Sequence, residues 1–208
     1  MVENKKDITN QGFTPPENPY DLFDAWFLEA SNKELNGPGA MCLATATPDG
    51  VPSARMVLLK EFDEDGFKFH TNIESRKGNE ITQNSKASIC FHWKSLRKQV
   101  RLEGTLHEVL QKESQQYFET RNRKSQIGAW ASNQSRELEN YQTLQERYKY
   151  YEEKFKDEKN IPKPDYWVGF RLKPNQFEFW NDGENRLHKR YIYTQDKQGN
   201  WTTGMLYP

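Results

Sequence analysis

The sequence predicts a mainly β protein with peripheral helices, in which antiparallel strands form a closed or nearly closed barrel. Two Asp-Gly pairs, Asp49-Gly50 and Asp65-Gly66, separate apolar or alternating segments and are strong hairpin signals. Strand-like segments also lie on both sides of a helical stretch that runs from residue 111 to about residue 155. The chain has neither a repeating strand–helix alternation nor a glycine-rich phosphate loop, which disfavours a parallel doubly wound sheet.

The 208 residues suit one domain, which we predict over residues 18–208, after a flexible polar N-terminal arm over residues 1–17. Asn18 and Pro19 have the residue types of a helix N-cap and a first helical position, and apolar side chains follow at helical spacing. The later segments predict, in order, a meander over 40–71, a short helix over 74–85, strands over 87–93 and 98–110, the helical stretch, and strands over 167–173, 176–181, 186–194 and 201–207.

The composition disfavours a general attraction to polyanions. Thirty Lys and Arg residues balance thirty Asp and Glu residues, so an anion site must be local. Cys42 and Cys90 lie in apolar runs and predict thiols that pack as small hydrophobes, without a disulfide or a metal site. No apolar run resembles a signal peptide or a membrane span, so we expect a cytoplasmic protein.

The segment Ser75-Arg76-Lys77-Gly78 stands at the predicted start of a helix. Backbone N–H groups, a hydroxyl and two cations at that position suit a phosphate. The alternative is an ordinary serine cap with solvated charges.

The segment RMVLLK, from Arg55 to Lys60, begins and ends with a cation. In a regular strand the two side chains point to opposite faces, because their separation is odd. Either the strand bulges or the two cations serve different groups, and the alternative is that both are solvated strand ends.

Tyr117, Arg121 and Ser125 recur at steps of four. On one helix they would place a phenol, a guanidinium and a hydroxyl on the same face, which suits a second phosphate. A solvated surface stripe is the alternative.

Residues 186–190, RLHKR, follow a turn-like run. On a strand, Arg186, His188 and Arg190 would share one face, and their repulsion would need an anion or carboxylates to offset it. No catalytic triad or metal-ligand spacing stands out elsewhere. Two phosphate-grade sites indicate a phosphorylated cofactor and a phosphorylated substrate.

Several segments occur together in a recognisable order: SARMVLLK, TNIESRKG, RKQVRLEG, SQIGAWASNQS, EFW and RLHKR. The chain resembles the pyridoxine (pyridoxamine) 5′-phosphate oxidase family from Asn18 to Pro208. The resemblance implies an FMN-binding split β-barrel that forms a homodimer, with FMN at the subunit interface.

The resemblance also implies roles for individual residues. The implied catalytic residues, which hold the pyridine ring of the substrate, are Arg186 and His188. His70 stands where the family usually has a tyrosine. The implied FMN contacts are Arg55, Met56, Val57, Leu58, Leu59, Lys60, His70, Thr71, Arg76, Lys77, Gln99, Gln134, Ser135, Trp180 and Arg190. The implied substrate contacts are Lys60, Tyr117, Arg121, Ser125, Arg186, Leu187 and His188.

The implied reaction is hydride transfer from the C4′ carbon of pyridoxine or pyridoxamine 5′-phosphate to FMN. Oxygen then reoxidises the flavin, and the products are pyridoxal 5′-phosphate and hydrogen peroxide, with ammonia from the amine. The alternatives are a split-barrel FMN oxidoreductase with another substrate, a non-catalytic protein that binds FMN or pyridoxal phosphate, and a nucleic-acid-binding barrel. Balanced charge disfavours the last of these.

Overall fold

The computed structural model describes residues 13–208, so most of the predicted N-terminal arm lies outside the described residues. The described end of that arm contacts the sheet: the Phe13 ring meets the Tyr191 ring edge-on at 5.6 Å, and the Tyr193 hydroxyl donates to the Pro16 carbonyl at 2.9 Å. The described residues group into two compact units. The first unit comprises residues 13–38, 92–100 and 176–208, and the second comprises residues 39–91 and 101–175. The single domain over 18–208 stays a prediction.

Between residues 13 and 208 the structure has five α-helices and nine strands. The helices are α1 (Pro19–Lys33), α2 (Arg76–Gln83), α3 (Gln111–Thr120), α4 (Arg123–Ala131) and α5 (Tyr141–Lys154). The strands are β1 (Ala40–Ala46), β2 (Pro52–Leu58), β3 (Glu61–Asp63), β4 (Gly66–Asn72), β5 (Lys86–Trp93), β6 (Lys98–Glu108), β7 (Trp167–Asn181), β8 (Lys189–Gln195) and β9 (Trp201–Leu206). The hydrogen-bonded strand order is β2-β1-β5-β6-β7-β4-β3, with β8 paired to both β7 and β9.

The first unit is built around α1. The Asn18 side chain accepts a hydrogen bond from the backbone N–H of Tyr20, which confirms the predicted N-cap. The helix buries Trp26 edge-on against Phe179, with ring centroids 5.3 Å apart. Lys98 is also buried. Its ammonium lies over the Trp26 ring and pairs with the Glu29 carboxylate at 2.5 Å, so the buried charge has partners. The large buried rings of this unit are Phe23 and Trp26 on α1, Trp93 on β5, Phe177 and Phe179 on β7, and Tyr191 and Tyr193 on β8.

The second unit contains both predicted hairpins. The β1–β2 turn has Gly50 at φ +89°, and the β3–β4 turn has Gly66 at φ +127°, conformations that favour glycine. Cys42 and Cys90 face each other in the antiparallel register of β1 and β5, and no disulfide joins them. The β1–β2 and β4–β7 pairings in this unit are also antiparallel, as predicted.

The prediction of one strand face at residues 186–190 is wrong. Strand β8 begins at Lys189, and residues 184–186 form a 3₁₀ turn in which Arg186 has φ +64°. A second correction concerns β7, which is continuous from Trp167 to Asn181 although the sequence predicted two strands separated by Pro174. Proline is tolerated in a strand wherever its missing N–H is not required by the neighbouring strand.

The helical stretch from residue 111 to residue 155 contains three helices, so the single helical face through Tyr117, Arg121 and Ser125 is also wrong. Helix α3 ends at Thr120, and Asn122 caps α4 by accepting from the backbone N–H of Ser125 at 2.8 Å. An asparagine cap starts a new helix direction, which the spacing of four could not reveal. No helix within residues 13–208 is long and apolar enough to span a membrane.

Candidate functional site

A cavity of about 700 Å³ lies in the second unit, within the size range of small-molecule sites. Twelve of the predicted site residues line it: Arg55, Met56, Val57, Leu58, Lys60, His70, Thr71, Lys77, Tyr117, Arg121, Ser125 and Gln134. Five further lining residues were not predicted: Asn72, Gly128, Ala129, Ser132 and Trp167.

Strand β2 and the residues after it bring Arg55 and Lys60 to the same cavity. The strand ends at Leu58, so Lys60 lies beyond the regular alternation that would have placed the two side chains on opposite faces. The backbone N–H of Lys60 donates to the Lys68 carbonyl at 2.9 Å. Arg55 and Lys60 therefore reach the same cavity because β2 ends between them, and not because the strand bulges.

The Arg55 guanidinium is held by a network of oxygens. One nitrogen, Nη1, donates to the Leu43 carbonyl at 3.1 Å and to the Thr45 hydroxyl at 2.6 Å. The other, Nη2, donates to the Ser53 hydroxyl and lies 3.4 Å from Oε2 of Glu80. These contacts hold the guanidinium at the cavity wall.

Lys77 is buried beside Arg55 with neutral hydrogen-bond partners. Its ammonium donates to Gln134 Oε1 at 2.8 Å and to the hydroxyls of Thr71 and Ser75, both at 3.2 Å. Burial, with the nearby Arg55 charge, lowers the pKa of Lys77 to about 8. A cation held by neutral acceptors in a cavity wall is suited to receive an anion.

Three flat rings form one wall of the cavity. The His70 ring is parallel to the Tyr117 ring, with centroids 4.4 Å apart, and to the Trp167 ring at 4.7 Å. Within residues 13–208, neither His70 ring nitrogen has a hydrogen-bond partner. Burial, together with the charges of Lys68, Lys60 and Arg121, lowers the pKa of His70 to about 4.

Two cations lie over this aromatic wall. The Arg121 guanidinium is 5.0 Å from the Trp167 ring centroid, and the Lys60 ammonium is 5.8 Å from the Tyr117 ring centroid. The Nη1 atom of Arg121 is buried, and in the described chain it has no hydrogen-bond partner. A buried donor without an acceptor is energetically unfavourable, so this corner of the cavity also suits an anion.

Ser125 reaches the same cavity as Tyr117 and Arg121, although no single helix carries the three residues. Tyr117 belongs to α3, Arg121 follows the end of that helix, and Ser125 is in the first turn of α4. The three residues therefore line one cavity, but two helices and the turn between them bring them there instead of one helical face.

Three of the predicted cofactor residues in the second unit do not line this cavity. Arg76 and Ser135 line a separate open groove with Glu74 and Arg136, and the Arg76 Nε donates to Glu80 Oε1 at 2.9 Å. Leu59 lies in the link after β2, where its N–H donates to the Gly39 carbonyl at 2.8 Å.

The remaining predicted residues belong to the first unit, and carboxylates contact two of them. The Arg190 Nε donates to Glu178 Oε1 at 2.9 Å. The His188 Nδ1 lies 2.9 Å from Asp182 Oδ1, and Asp182 also pairs with Arg97. The sequence left open whether an anion or carboxylates offset the repulsion among Arg186, His188 and Arg190, and in the structure carboxylates contact His188 and Arg190.

The other residues of this group differ in exposure. The Trp180 ring packs on the His188 ring with centroids 4.7 Å apart, whereas Leu187 is 71% exposed. Gln99 is half-buried on β6, and Arg186 closes the 3₁₀ turn before β8. The Nδ1 of His188 is also 3.2 Å from the backbone N–H of Gly183, so donation to Asp182 and acceptance from this N–H are alternatives for that one atom.

Two important residues were missed by sequence reasoning. Trp167 follows a Pro- and Lys-containing link and has no local signal beyond its size. Glu80 lies four residues after Arg76, a spacing that predicts a surface ion pair but not a buried carboxylate near Arg55.

Comparison with known proteins adds the family. Residues 27–155 match the family model described as pyridoxamine 5′-phosphate oxidase, and residues 167–208 match the model described as the pyridoxine 5′-phosphate oxidase C-terminal dimerisation region. The chain belongs to the pyridoxamine 5′-phosphate oxidase family. This agrees with the resemblance inferred from the sequence motifs.

Members of the pyridoxamine 5′-phosphate oxidase family match over nearly the whole chain. A pyridoxine/pyridoxamine 5′-phosphate oxidase from Pelagibacter ubique is 46% identical over 199 residues, covering 96% of each chain. One with the same name from a Chelativorans species is 48% identical over 204 residues, covering 98% of this chain and 97% of the relative.

Solved structures related to the pyridoxamine 5′-phosphate oxidase family support the fold. PhzG from Burkholderia lata, solved with tetrahydrophenazine-1-carboxylic acid, has a TM-score of 0.86 and 31% identity, covering 93% of this chain and 94% of PhzG. A pyridoxamine 5′-phosphate oxidase-related, FMN-binding protein from Nostoc punctiforme has a TM-score of 0.72 and 19% identity, covering 93% of this chain and all of that chain. The predicted antiparallel split-barrel fold is confirmed.

Proposed function

We propose that this protein oxidises pyridoxine 5′-phosphate and pyridoxamine 5′-phosphate to pyridoxal 5′-phosphate in vitamin B6 metabolism, with FMN as cofactor and O₂ as electron acceptor. The relatives with that name match the whole chain at nearly half identity. The observation that carries the proposal is one cavity with two cationic corners, Arg55 with Lys77 and Lys60 with Arg121. Two phosphate groups, one on the cofactor and one on the substrate, need two such corners.

The residues of the cavity fit FMN. Arg55 and Lys77 would hold its phosphate, because a guanidinium beside a buried ammonium whose hydrogen-bond partners are neutral suits a phosphate monoester. Thr71 and Gln134 would add hydrogen bonds, and the β2 segment from Met56 to Leu58 would lie along the ring system. Arg76, Gln99, Ser135, Trp180 and Arg190 remain proposed contacts on the family resemblance alone.

The chain's own residues would bind and orient the substrate. When bound, FMN supplies two-electron chemistry, accepting a hydride from the substrate and passing both electrons to O₂. Lys60, Tyr117, Arg121 and Ser125 would hold the substrate phosphate, and Arg121 brings a buried donor that lacks an acceptor. We assign Arg186 and His188 to the pyridine ring, where they would position and polarise the substrate.

We propose that the active form is a homodimer with FMN at the interface between the two copies. The C-terminal residues 167–208 match a model described as a dimerisation region, which supports this assembly. Strand β2 has exposed side chains at Met56 and Leu58, and exposed apolar groups beside a ligand cavity are typical of an interface.

A flavin oxidoreductase with another substrate is the second candidate. The 31% identity and TM-score of 0.86 to PhzG, whose structure contains a tetrahydrophenazine carboxylic acid, favour it. Substrate choice on one fold depends on a few contacts in the site.

The deciding experiment is the visible spectrum of the FMN-loaded protein, recorded without oxygen before and after pyridoxine 5′-phosphate or pyridoxamine 5′-phosphate is added. We expect the flavin to bleach, to regain colour in air, and to yield pyridoxal 5′-phosphate. A spectrum that stays oxidised with both compounds would contradict the proposed reaction. Bleaching by another reduced heterocycle alone would support the second candidate, and binding without any bleaching would indicate a non-catalytic flavin protein.

A further inference from the structure

Glu80 is a buried carboxylate between two arginines that face different cavities. Its side chain is 5% exposed, against 61% for Arg76 and 19% for Arg55. One carboxylate oxygen accepts from Arg76 in the open groove, and the other lies 3.4 Å from the Arg55 guanidinium that lines the ligand cavity. A buried carboxylate in the middle of a phosphate-binding region is unexpected, since it repels the ligand.

The hydrogen bonds around Glu80 explain its presence. Its Oε2 accepts from Ser53 at 2.5 Å and from Thr45, and both hydroxyls in turn accept from Arg55. Although burial opposes ionisation, the hydrogen bonds from Ser53, Thr45 and Arg76 lower the pKa of Glu80 to about 2. The carboxylate therefore stays charged and orients both hydroxyls, because each must donate to it and is left with lone pairs for Arg55.

We propose that Glu80 is a positioning residue whose carboxylate, through Thr45 and Ser53, holds Arg55 in the orientation that binds a phosphate monoester beside Lys77. This inference rests on the proposed function, because FMN is the phosphate monoester that the family implies for this corner. It assigns to Glu80 no contact with the ligand itself.

The charge of Glu80 matters as well as its shape. Lys77 has Arg55 and Glu80 as its charged neighbours, and these act on its proton in opposite directions. Burial and the Arg55 charge lower the pKa of Lys77, and the Glu80 charge raises it; the net pKa is about 8. Without the Glu80 charge, Lys77 would lose its proton at a lower pH, and the corner would bind phosphate more weakly on the alkaline side.

The test compares Glu80→Gln with the wild-type homodimer. The dissociation constants of three ligands are measured from pH 6 to pH 9.5. Quenching of flavin fluorescence gives those of FMN and riboflavin, and calorimetry gives that of inorganic phosphate. We expect Glu80→Gln to weaken FMN binding about tenfold at pH 7.5, the size of one charge-assisted hydrogen bond, and to leave riboflavin within about twofold. The pH at which FMN affinity begins to fall should move down from about 8.

Two further variants make the result specific. Glu74→Gln removes a carboxylate that pairs with Arg136 at 2.6 Å in the same region but does not contact Arg55, and it should leave the pH profile unchanged. Ser53→Ala removes one of the two oriented hydroxyls and should weaken FMN binding without moving the pH profile. If Glu80→Gln does not fold, Ser53→Ala still tests whether the hydroxyls between Glu80 and Arg55 hold the guanidinium in place.

The outcomes separate this inference from the proposed function. Equal weakening of FMN and riboflavin in Glu80→Gln would overturn the positioning role, because a general structural defect does not distinguish the phosphate. Wild-type FMN affinity and pH profile in Glu80→Gln would also overturn it while leaving the proposed function intact. Normal FMN binding without oxidase activity would overturn only the function, whereas failure of the wild type to bind both FMN and inorganic phosphate would overturn both.

Discussion

The His70 ring lies parallel to the Trp167 ring, with centroids 4.7 Å apart and planes 7° apart. Tyr117 is also parallel to both, and its centroid is 6.1 Å from that of Trp167. His70 therefore stacks with both of the rings that carry a cation, Tyr117 beside Lys60 and Trp167 beside Arg121.

This arrangement predicts a pH-dependent stability. The pKa of His70 is lowered from 6.5 to about 4, so the folded protein binds fewer protons than the unfolded chain between those values. The free energy of unfolding should fall as the pH falls from 6.5 to 4. His70→Phe keeps a flat ring without a titrating group. Between pH 7.5 and pH 5 this variant should lose about 1 kcal/mol less free energy of unfolding than the wild type, as measured by urea unfolding.

The control for His70 is His92→Gln, which replaces an exposed imidazole. This variant should lose as much free energy of unfolding between pH 7.5 and pH 5 as the wild type does. The prediction fails if His70→Phe loses as much stability on acidification as the wild type does.

Gly169 should tolerate no larger side chain, because it faces His70 across the β4–β7 pair. A Cβ at this position would lie 2.6 Å from Cγ2 of Val109 and 2.9 Å from two atoms of the His70 ring. Gly169→Ala should destabilise the apo protein by about 1–3 kcal/mol. Gly128→Ala is the matched control, since a Cβ there meets nothing within 4 Å and alanine favours the α4 helix by about 1 kcal/mol. Thermal melts that show equal destabilisation for the two variants would contradict this account.

Arg121 should determine the affinity for the substrate phosphate. Arg121→Met keeps an apolar stem over Trp167 but removes the buried donor, and it should raise KM for pyridoxine 5′-phosphate about 10- to 100-fold. We expect kcat to change less than about threefold, since the phosphate is remote from the reacting carbon. Lys124→Met, at an exposed site on α4, should be silent in the same steady-state assay. A fall confined to kcat would place Arg121 in another role.

His188 should affect the reductive step more than it affects cofactor binding. Its ring packs on Trp180, and its Nδ1 lies beside Asp182, so one edge is fixed by the protein. His188→Ala should slow anaerobic bleaching of the flavin by pyridoxine 5′-phosphate at least about tenfold, with FMN affinity within about twofold. His107→Ala, at an exposed position on β6, is the control. Unchanged bleaching in His188→Ala would remove His188 from the substrate site.

Local residue chemistry predicted most of the elements. Asn18 caps its helix as expected, Ser75 caps α2 as in the alternative given for that segment, and the two Asp-Gly pairs form hairpin turns. A cap or a tight turn depends on residues within a few positions, which is why the local sequence indicates it. Where the prediction of residues 186–190 failed, the cause was also local: Arg186 adopts a left-handed backbone in a 3₁₀ turn, a conformation that its residue type does not indicate.

By itself the sequence determined the antiparallel β class, the capped helices and the grouping of basic segments that marks the family. Only the tertiary structure decided that Trp167 supports Arg121, that Glu80 orders the hydroxyls around Arg55, and that a helix break brings Ser125 to the cavity. Residues 25 and 46 positions apart, such as Arg55 with Glu80 and Arg121 with Trp167, meet because strands pair and helices pack. Periodicity along the chain records which face of an element is buried, but it does not record which distant side chain packs against that face.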